Sequence, residues 1–256
     1  MTGLELARSF RVTSYDVDGY GQLRPSALMG WFQEMGRLHA REIDVTVERL
    51  HQLGKTWVVA EMRLEMDARA AVDAELTVTT WPARREDREI VRDFLVTDAR
   101  GQRVAAASAS YVIIDLATRR PVRIGELVPE DYQLDRRALA SPSLPLPRLD
   151  RVDREVELPV MRRDLDINRH VNNVVYAQWA LEPVPEEIWE QHRLAALSIA
   201  FRAEVRPGEV VKVAIAVEAG PERTEVRHRV TNAATGAEVA RIGTAWVRPA
   251  TDARRS

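Results

Sequence analysis

The sequence predicts a duplicated α+β protein, in which a long apolar helix and a run of antiparallel strands occur twice. Three observations carry this. The chain resembles itself in two blocks, a proline-rich stretch separates the copies, and helical periodicity gives way to strand periodicity in each copy.

The first block pairs FRVTSYDVDGYGQLRPSALMGWFQE (Phe10 to Glu34) with LPVMRRDLDINRHVNNVVYAQWALE (Leu158 to Glu182) without a gap. Asp16 meets Asp164, Asp18 meets Asp166, Trp31 meets Trp179 and Glu34 meets Glu182. The second block pairs VTDARGQRVA (Val96 to Ala105) with VTNAATGAEVA (Val230 to Ala240), with one inserted residue, and brings Tyr111 onto Trp246. Between the copies lies SPSLPLPRLD, Ser141 to Asp150, whose prolines disfavour both helix interior and sheet. It reads as a semi-rigid extended linker. The expected organisation is an N-terminal unit over 1–140, a linker over 141–152, a C-terminal unit over 153–249 and a frayed polar tail over 250–256.

Each copy opens on a short strand, Phe10 to Ser14 and Glu155 to Met161. In the first copy Pro25 suits the opening turn of a helix. Leu28, Trp31, Phe32, Met35 and Leu38 then recur at helical spacing and form one apolar stripe. The second helix is shorter: Val175, Tyr176 and Trp179 share a face, and Pro183 stops it. Alternation of apolar residues predicts strands at Thr56–Met66, Glu75–Trp81, Ile90–Thr97, Val104–Ile114, Leu197–Glu204, Val210–Val217, Glu225–Thr231 and Val239–Val247. Gly101, Gly208 and Gly236 fall in the turns.

Composition narrows the function. Apolar residues make up 45% and charged residues 30% of the chain, the profile of a folded, soluble protein. The formal net charge of -2 gives no support to bulk nucleic-acid binding, and no stretch is long and apolar enough to insert in a membrane. The absence of cysteine removes disulfides, thiolate metal sites and cysteine nucleophiles. His39, His51, His192 and His228 are scattered without ligand spacing, so no metal is expected. No G-x-S-x-G elbow and no phosphate-cradling glycine loop occur. Met1 to Arg11 lacks the apolar core of a signal peptide, and a cytoplasmic location is the expectation.

The copies differ where chemistry could sit. The loop before the second helix, DLDINRHVNN (Asp164 to Asn173), sets Asp166, Asn168 and His170 at alternating positions, followed by Asn172 and Asn173. The first copy holds Asp18, Tyr20, Gln22, Arg24 and Pro25 in those places. Aspartate and asparagine before a helix are common caps and turn formers, and Asp164 and Asn172 suit that role. A histidine and an asparagine present in one copy alone point instead to a site used once. Beside the unpaired N–H groups of a helix start they could hold a developing oxyanion, worth about 10²- to 10³-fold per donor. A carboxylate activating water would add about 10²- to 10⁴-fold.

DLDINRHVNNVVYAQWALE closely resembles the second-domain motif of the acyl-acyl-carrier-protein thioesterases of plants and bacteria. The likeness continues through PEEIWEQHRLAALSIAFRAEV, Pro185 to Val205, and is weaker in the first half. The resemblance implies a tandem (double) hotdog, each half an antiparallel sheet wrapped around a long helix. It implies hydrolysis of fatty acyl-acyl-carrier protein to free fatty acid in the second half, while the first shapes the acyl pocket. Asp166, Asn168 and His170 then match the family's catalytic residues, and Glu204 in FRAEV matches its acidic partner on a neighbouring strand. Plant members often carry cysteine after that glutamate. Val205 stands there in this chain, which favours direct attack by water without a covalent acyl-enzyme.

Asn172 and Asn173 at the helix start, with Met29, Phe32 and Met35 on the first helix, are the expected substrate-binding set. Arg84, Arg85 and Arg88, with Arg162, Arg163 and Arg169 near the loop, are the candidate contacts for an acidic carrier protein. No cofactor is required. Acyl-CoA as the substrate, or a non-catalytic acyl-binding hotdog protein, are the alternatives. Two fused copies already make a pseudo-dimer, so a monomer or a homodimer is expected.

Overall fold

The computed structural model describes residues 3–42, 44–68, 70–140, 145–166 and 169–249. The first half runs β1 (Leu6–Arg11), α1 (Pro25–Glu42), α2 (Val47–Gln52), β2 (Lys55–Met66), β3 (Glu75–Arg85), β4 (Ile90–Thr97) and β5 (Arg103–Asp115). The second repeats the plan as β6 (Arg154–Pro159), α3 (Asn173–Leu181), α4 (Glu186–Gln191), β7 (Arg193–Phe201), β8 (Val210–Ala219), β9 (Arg223–Asn232) and β10 (Glu238–Val247). All strands join one antiparallel ten-stranded sheet in the order β1-β3-β4-β5-β2-β7-β10-β9-β8-β6. The halves meet at the β2–β7 seam, from Glu61↔Ala200 to Glu65↔Ala196.

The sheet wraps α1 and α3, which touch each other. On α1 the buried face is Pro25, Leu28, Met29, Phe32, Met35 and His39, while the expected stripe members Trp31 and Leu38 lie only half in. Phe32 stacks on Phe94 of β4 at 4.6 Å. Short α3 buries Val175, Tyr176, Ala177, Trp179 and Ala180, leaving little polar face. A second apolar cluster forms where Ile124, Val128 and Tyr132, after β5, pack on Val45, Leu50, Ile90 and Ile113. Buried Asp93 accepts from Arg137 Nε at 3.0 Å and the Ala138 backbone at 2.7 Å, pinning that segment to β4. Of the expected linker, Leu146 and Arg148 offer carbonyls to Arg241 and Arg227, and residues 141–144 lie outside the described residues. The expected tail, 250–256, lies outside them too.

Strand boundaries differ from the sequence reading at several places, β3 running on to Arg85 past Trp81 among them, and local hydrogen bonds set the differences at β1, β6 and β7. β1 and β6 begin and end earlier than Phe10–Ser14 and Glu155–Met161. The next free N–H is captured by an aspartate three residues on: Thr13 N donates to Asp16 Oδ2 and Met161 N to Asp164 Oδ2, both at 2.7 Å. β7 spans Arg193–Phe201, not Leu197–Glu204. The Arg202 and Ala203 N–H groups both turn to the Val239 carbonyl, and the chain leaves the ladder there. The six-residue helices α2 and α4 were not expected. Among the described residues no helix is long and apolar enough to cross a membrane.

The register sorts the loops by end. The β3–β4 hairpin, the turn after β5, the loop before α3 and the connection after β7 share one end of the sheet, as Arg85↔Ile90, Lys55↔Asp115, Phe201↔Ala240 and Pro159↔Val210 require. The loop before α1 lies at the other end, beyond Arg11↔Glu75.

Candidate active site

The loop before α3 is a braced turn. Leu165 bridges Val171, Asp166 N donates to the His170 carbonyl at 2.8 Å, and His170 N donates back to Asp166 Oδ1 at 3.1 Å. The Arg169 backbone, at φ 63, lies in the left-handed region that makes this reversal possible. Asn172 then caps α3, its side chain accepting from Val174 N at 3.2 Å.

The first half builds the same turn. Val17 bridges Leu23, Asp18 N donates to the Gln22 carbonyl at 2.9 Å, Gln22 N donates to Asp18 Oδ1 at 2.8 Å, and Gly21 has φ 68. The shared aspartate is therefore a brace in both halves. The residue it presents differs: His170 in one, Gln22 in the other.

His170 Nε2 sits 3.5 Å from Glu204 Oε2, at the outer limit of hydrogen-bond reach, and both side chains are partly open to solvent. Glu204 lies in the connection after β7 and not on a strand, because the chain has already left the ladder at Arg202. Its neighbours fix it. The Tyr176 hydroxyl of α3 lies 3.4 Å from the Ala203 carbonyl, burial pushing that hydroxyl up to about 12. Val205 is fully buried in the core. On the other side, Arg119 from the turn after β5 pairs with Glu204 Oε1.

The two halves also correspond in the backbone around this carboxylate. The Asp67 and Ala68 N–H groups share the Val104 carbonyl as Arg202 and Ala203 share that of Val239. The counterpart of Glu204 is then Arg69, which lies outside the described residues. Histidine and glutamate thus meet in one half only.

The structure brings together Asp166, His170 and Glu204. Asn168 lies outside the described residues. The Asn172 oxygen is committed to capping, and Asn173 Oδ1, in the first turn of α3, is buried with no hydrogen-bond partner among the described residues. Met29, Phe32 and Met35 are all buried in the apolar core around α1. Arg162, Arg163 and Arg169 are exposed around the loop. Arg84 is paired with Glu86 at 3.2 Å, and Arg88 lies 3.8 Å from Asp87. Arg85 turns back onto the carbonyls of Gly125 and Val128 at 2.7 and 3.2 Å, so its guanidinium is spent on the fold. Arg119 was missed, and nothing in the sequence signals it: the pairing joins two turns in different halves. Among the described residues no cluster of His, Asp or Glu could hold a metal ion.

A helix wrapped by a sheet twice over, with a histidine–carboxylate pair at one helix mouth, defines a double-hotdog protein. In overall shape the chain is similar to the 12:0-ACP thioesterase from Umbellularia californica, with a TM-score of 0.87 at 24% identity over 97% of this chain and 96% of that one. An acyl-ACP thioesterase from Bacteroides thetaiotaomicron superposes with a TM-score of 0.83 at 22% identity, covering 95% of this chain and 98% of that one. The family model for the acyl-ACP thioesterase N-terminal domain matches residues 3–132, and that for the C-terminal domain matches 148–248. The chain belongs to the acyl-ACP thioesterase family. Among curated relatives, a chloroplastic acyl-[acyl-carrier-protein] hydrolase of Cuphea viscosissima is 27% identical over 95% of this chain. A chloroplastic dodecanoyl-[acyl-carrier-protein] hydrolase of Cinnamomum camphora is 27% identical over 99% of it, with 70% of that relative covered. The chain spans 63% of the length of the Cuphea relative and 63% of an oleoyl-acyl carrier protein thioesterase of Arabidopsis thaliana.

Proposed function

We propose that the protein hydrolyses the thioester of fatty acyl-acyl-carrier protein and releases a free fatty acid. The observation that carries this reading is the His170–Glu204 pair at the mouth of α3, present in one half of a chain of this family. Water adds to the thioester carbonyl carbon as Glu204 takes its proton, and the carbon–sulfur bond then breaks to give the acid and the carrier's thiol. Asn168 and the N–H groups at the start of α3 polarise the carbonyl. His170 stands where it can steady Glu204 or return a proton to the departing sulfur. Asp166 holds the turn that presents His170. No acyl-cysteine can form in a chain without cysteine, and Val205 beside Glu204 favours direct attack by water.

Glu204→Gln and His170→Ala are each expected to lower turnover by about 10²- to 10⁴-fold while the protein stays folded. Rates near those of the parent for both would end this reading. A screen of acyl-acyl-carrier-protein thioesters from short to long chains, with the CoA thioester of equal acyl length beside each, identifies the carrier and the preferred chain. Equal or faster turnover of the CoA esters would assign the activity to acyl-CoA instead.

Exposed Arg162, Arg163 and Arg169 around the loop are the proposed docking contacts for the acidic carrier. Activity on the carrier-protein substrate is then expected to fall steeply with added salt, and activity on acyl-CoA less so. Salt-insensitive turnover of the carrier-protein substrate would remove that assignment.

A further inference from the structure

We propose that Arg119, carried by the N-terminal half, is a positioning residue for the site in the C-terminal half. The inference rests on the reading of Glu204 as the site's carboxylate. Glu204 lies outside the sheet ladder, so regular structure does not hold its side chain. Two groups do: Arg119 takes Oε1, and His170 Nε2 faces Oε2 at 3.5 Å. With one oxygen pinned by Arg119, the other is left facing the imidazole.

The turn that delivers Arg119 is built for rigidity. Asp115 Oδ1 accepts from Thr118 N at 2.8 Å, Thr118 Oγ1 at 2.9 Å and Ala117 N at 3.1 Å. Arg119 N donates to the Asp115 carbonyl at 2.8 Å, and Leu116 N ties the turn to the Gly54 carbonyl at 2.8 Å. Arg119 itself stands at φ 58, a backbone conformation that a branched-out L side chain rarely adopts. Strain retained at a residue whose side chain reaches a reactive carboxylate in the other half fits a positioning role. Stability is a poor explanation for the pair. Arg119 and Glu204 are 41% and 38% exposed, and an ion pair so open contributes little to folding.

The test uses the full chain with Arg119→Ala, Arg119→Lys, Glu204→Gln and the Arg119→Ala/Glu204→Gln double variant. We expect Arg119→Ala to lower kcat at least ~10-fold, with KM within about twofold and the melting temperature close to the parent's, because only the geometry of the transition state is lost. Arg119→Lys should recover part of the rate, and millimolar guanidinium ion should partly rescue Arg119→Ala. The double variant should be no slower than Glu204→Gln alone, since the two residues act through one carboxylate. A kcat for Arg119→Ala within twofold of the parent, while Glu204→Gln is crippled, would overturn this inference and leave the proposed function standing. A raised KM at unchanged kcat would also overturn it, assigning Arg119 to substrate binding. Activity retained by both Glu204→Gln and Arg119→Ala would instead strike the reading of the site itself. If Arg119→Ala does not fold, Arg119→Lys and the rate of the double variant decide between the same outcomes.

Discussion

Acidification should loosen the C-terminal half through one buried histidine. His228 projects from β9 toward α3 and is wholly buried, with Nε2 2.9 Å from Thr244 Oγ1. Burial pushes its pKa from an ordinary 6.5 down to about 3, an effect that the nearby Ala180 backbone only partly offsets. Between those values the unfolded chain binds a proton that the folded chain refuses. The neutral imidazole's contribution is therefore complete above pH 6.5 and is lost as pH falls toward 3. The loss approaches about 1.4 kcal/mol per pH unit, and going from pH 7.5 to 5 it amounts to about 2 kcal/mol. His39, lowered by burial and by the Arg92 guanidinium beside it, pulls in the same direction, so the parent protein alone cannot isolate the effect. His228→Phe can. Phe94 already fills the equivalent place in the first half, and Thr244 Oγ1 keeps its bond from Trp246 Nε1 at 3.0 Å. Thermal melts of both proteins at pH 7.5, 6 and 5 should show the parent losing about 4–8 °C more than the variant over this range. Parallel melting curves at every pH would refute the reasoning.

Val205→Cys is expected to keep turnover within about twofold, to form no acyl adduct by intact mass, and to resist alkylation while folded, because a thiol there is buried away from water. Phe32→Ala should cost about 3–5 kcal/mol in a denaturant titration, since the ring is fully buried on Phe94. A cost below 1 kcal/mol would mean that the ring lines open space instead. Arg169→Val should lose about 1–2 kcal/mol, because a β-branched residue is strained at φ 63, whereas Arg169→Gly should shift stability by less than about 1 kcal/mol. Equal effects of the two would show that the backbone conformation is not what matters at this position.

α1 and several of the strands were legible because each buries one face, and burial writes a period into the sequence; α3, apolar nearly all round, was legible from its match to α1 and from Pro183 just beyond its end. Strand ends were not, because they are set by events without periodicity: an aspartate capturing a neighbouring N–H at Thr13 and Met161, and two N–H groups sharing one carbonyl at Val239. The six-residue α2 and α4 are too short to show a periodic face. At the site, the two copies share one residue of the turn and differ in another. Asp18 and Asp166 brace the same turn in the two halves, whereas Gln22 stands where the second half has His170. The arginine patch was harder to read. A run of charges looks alike whether a guanidinium faces water, as at Arg163, or turns back on carbonyls, as at Arg85. Arg119 left no trace because its significance lies in a contact between turns far apart in the chain.

The order of strands also governs how the sheet meets the outside. β1 and β6 are its two borders, each only six residues long. Arg8 and Arg11 sit on one, and Arg154, Glu155, Glu157 and a terminal Pro159 on the other. Brief, charged margins offer a poor template for another chain's backbone. The longer strands at the join, which would be the natural place for strand addition, are occupied by each other, so the fusion spends its best adhesive surface within a single molecule.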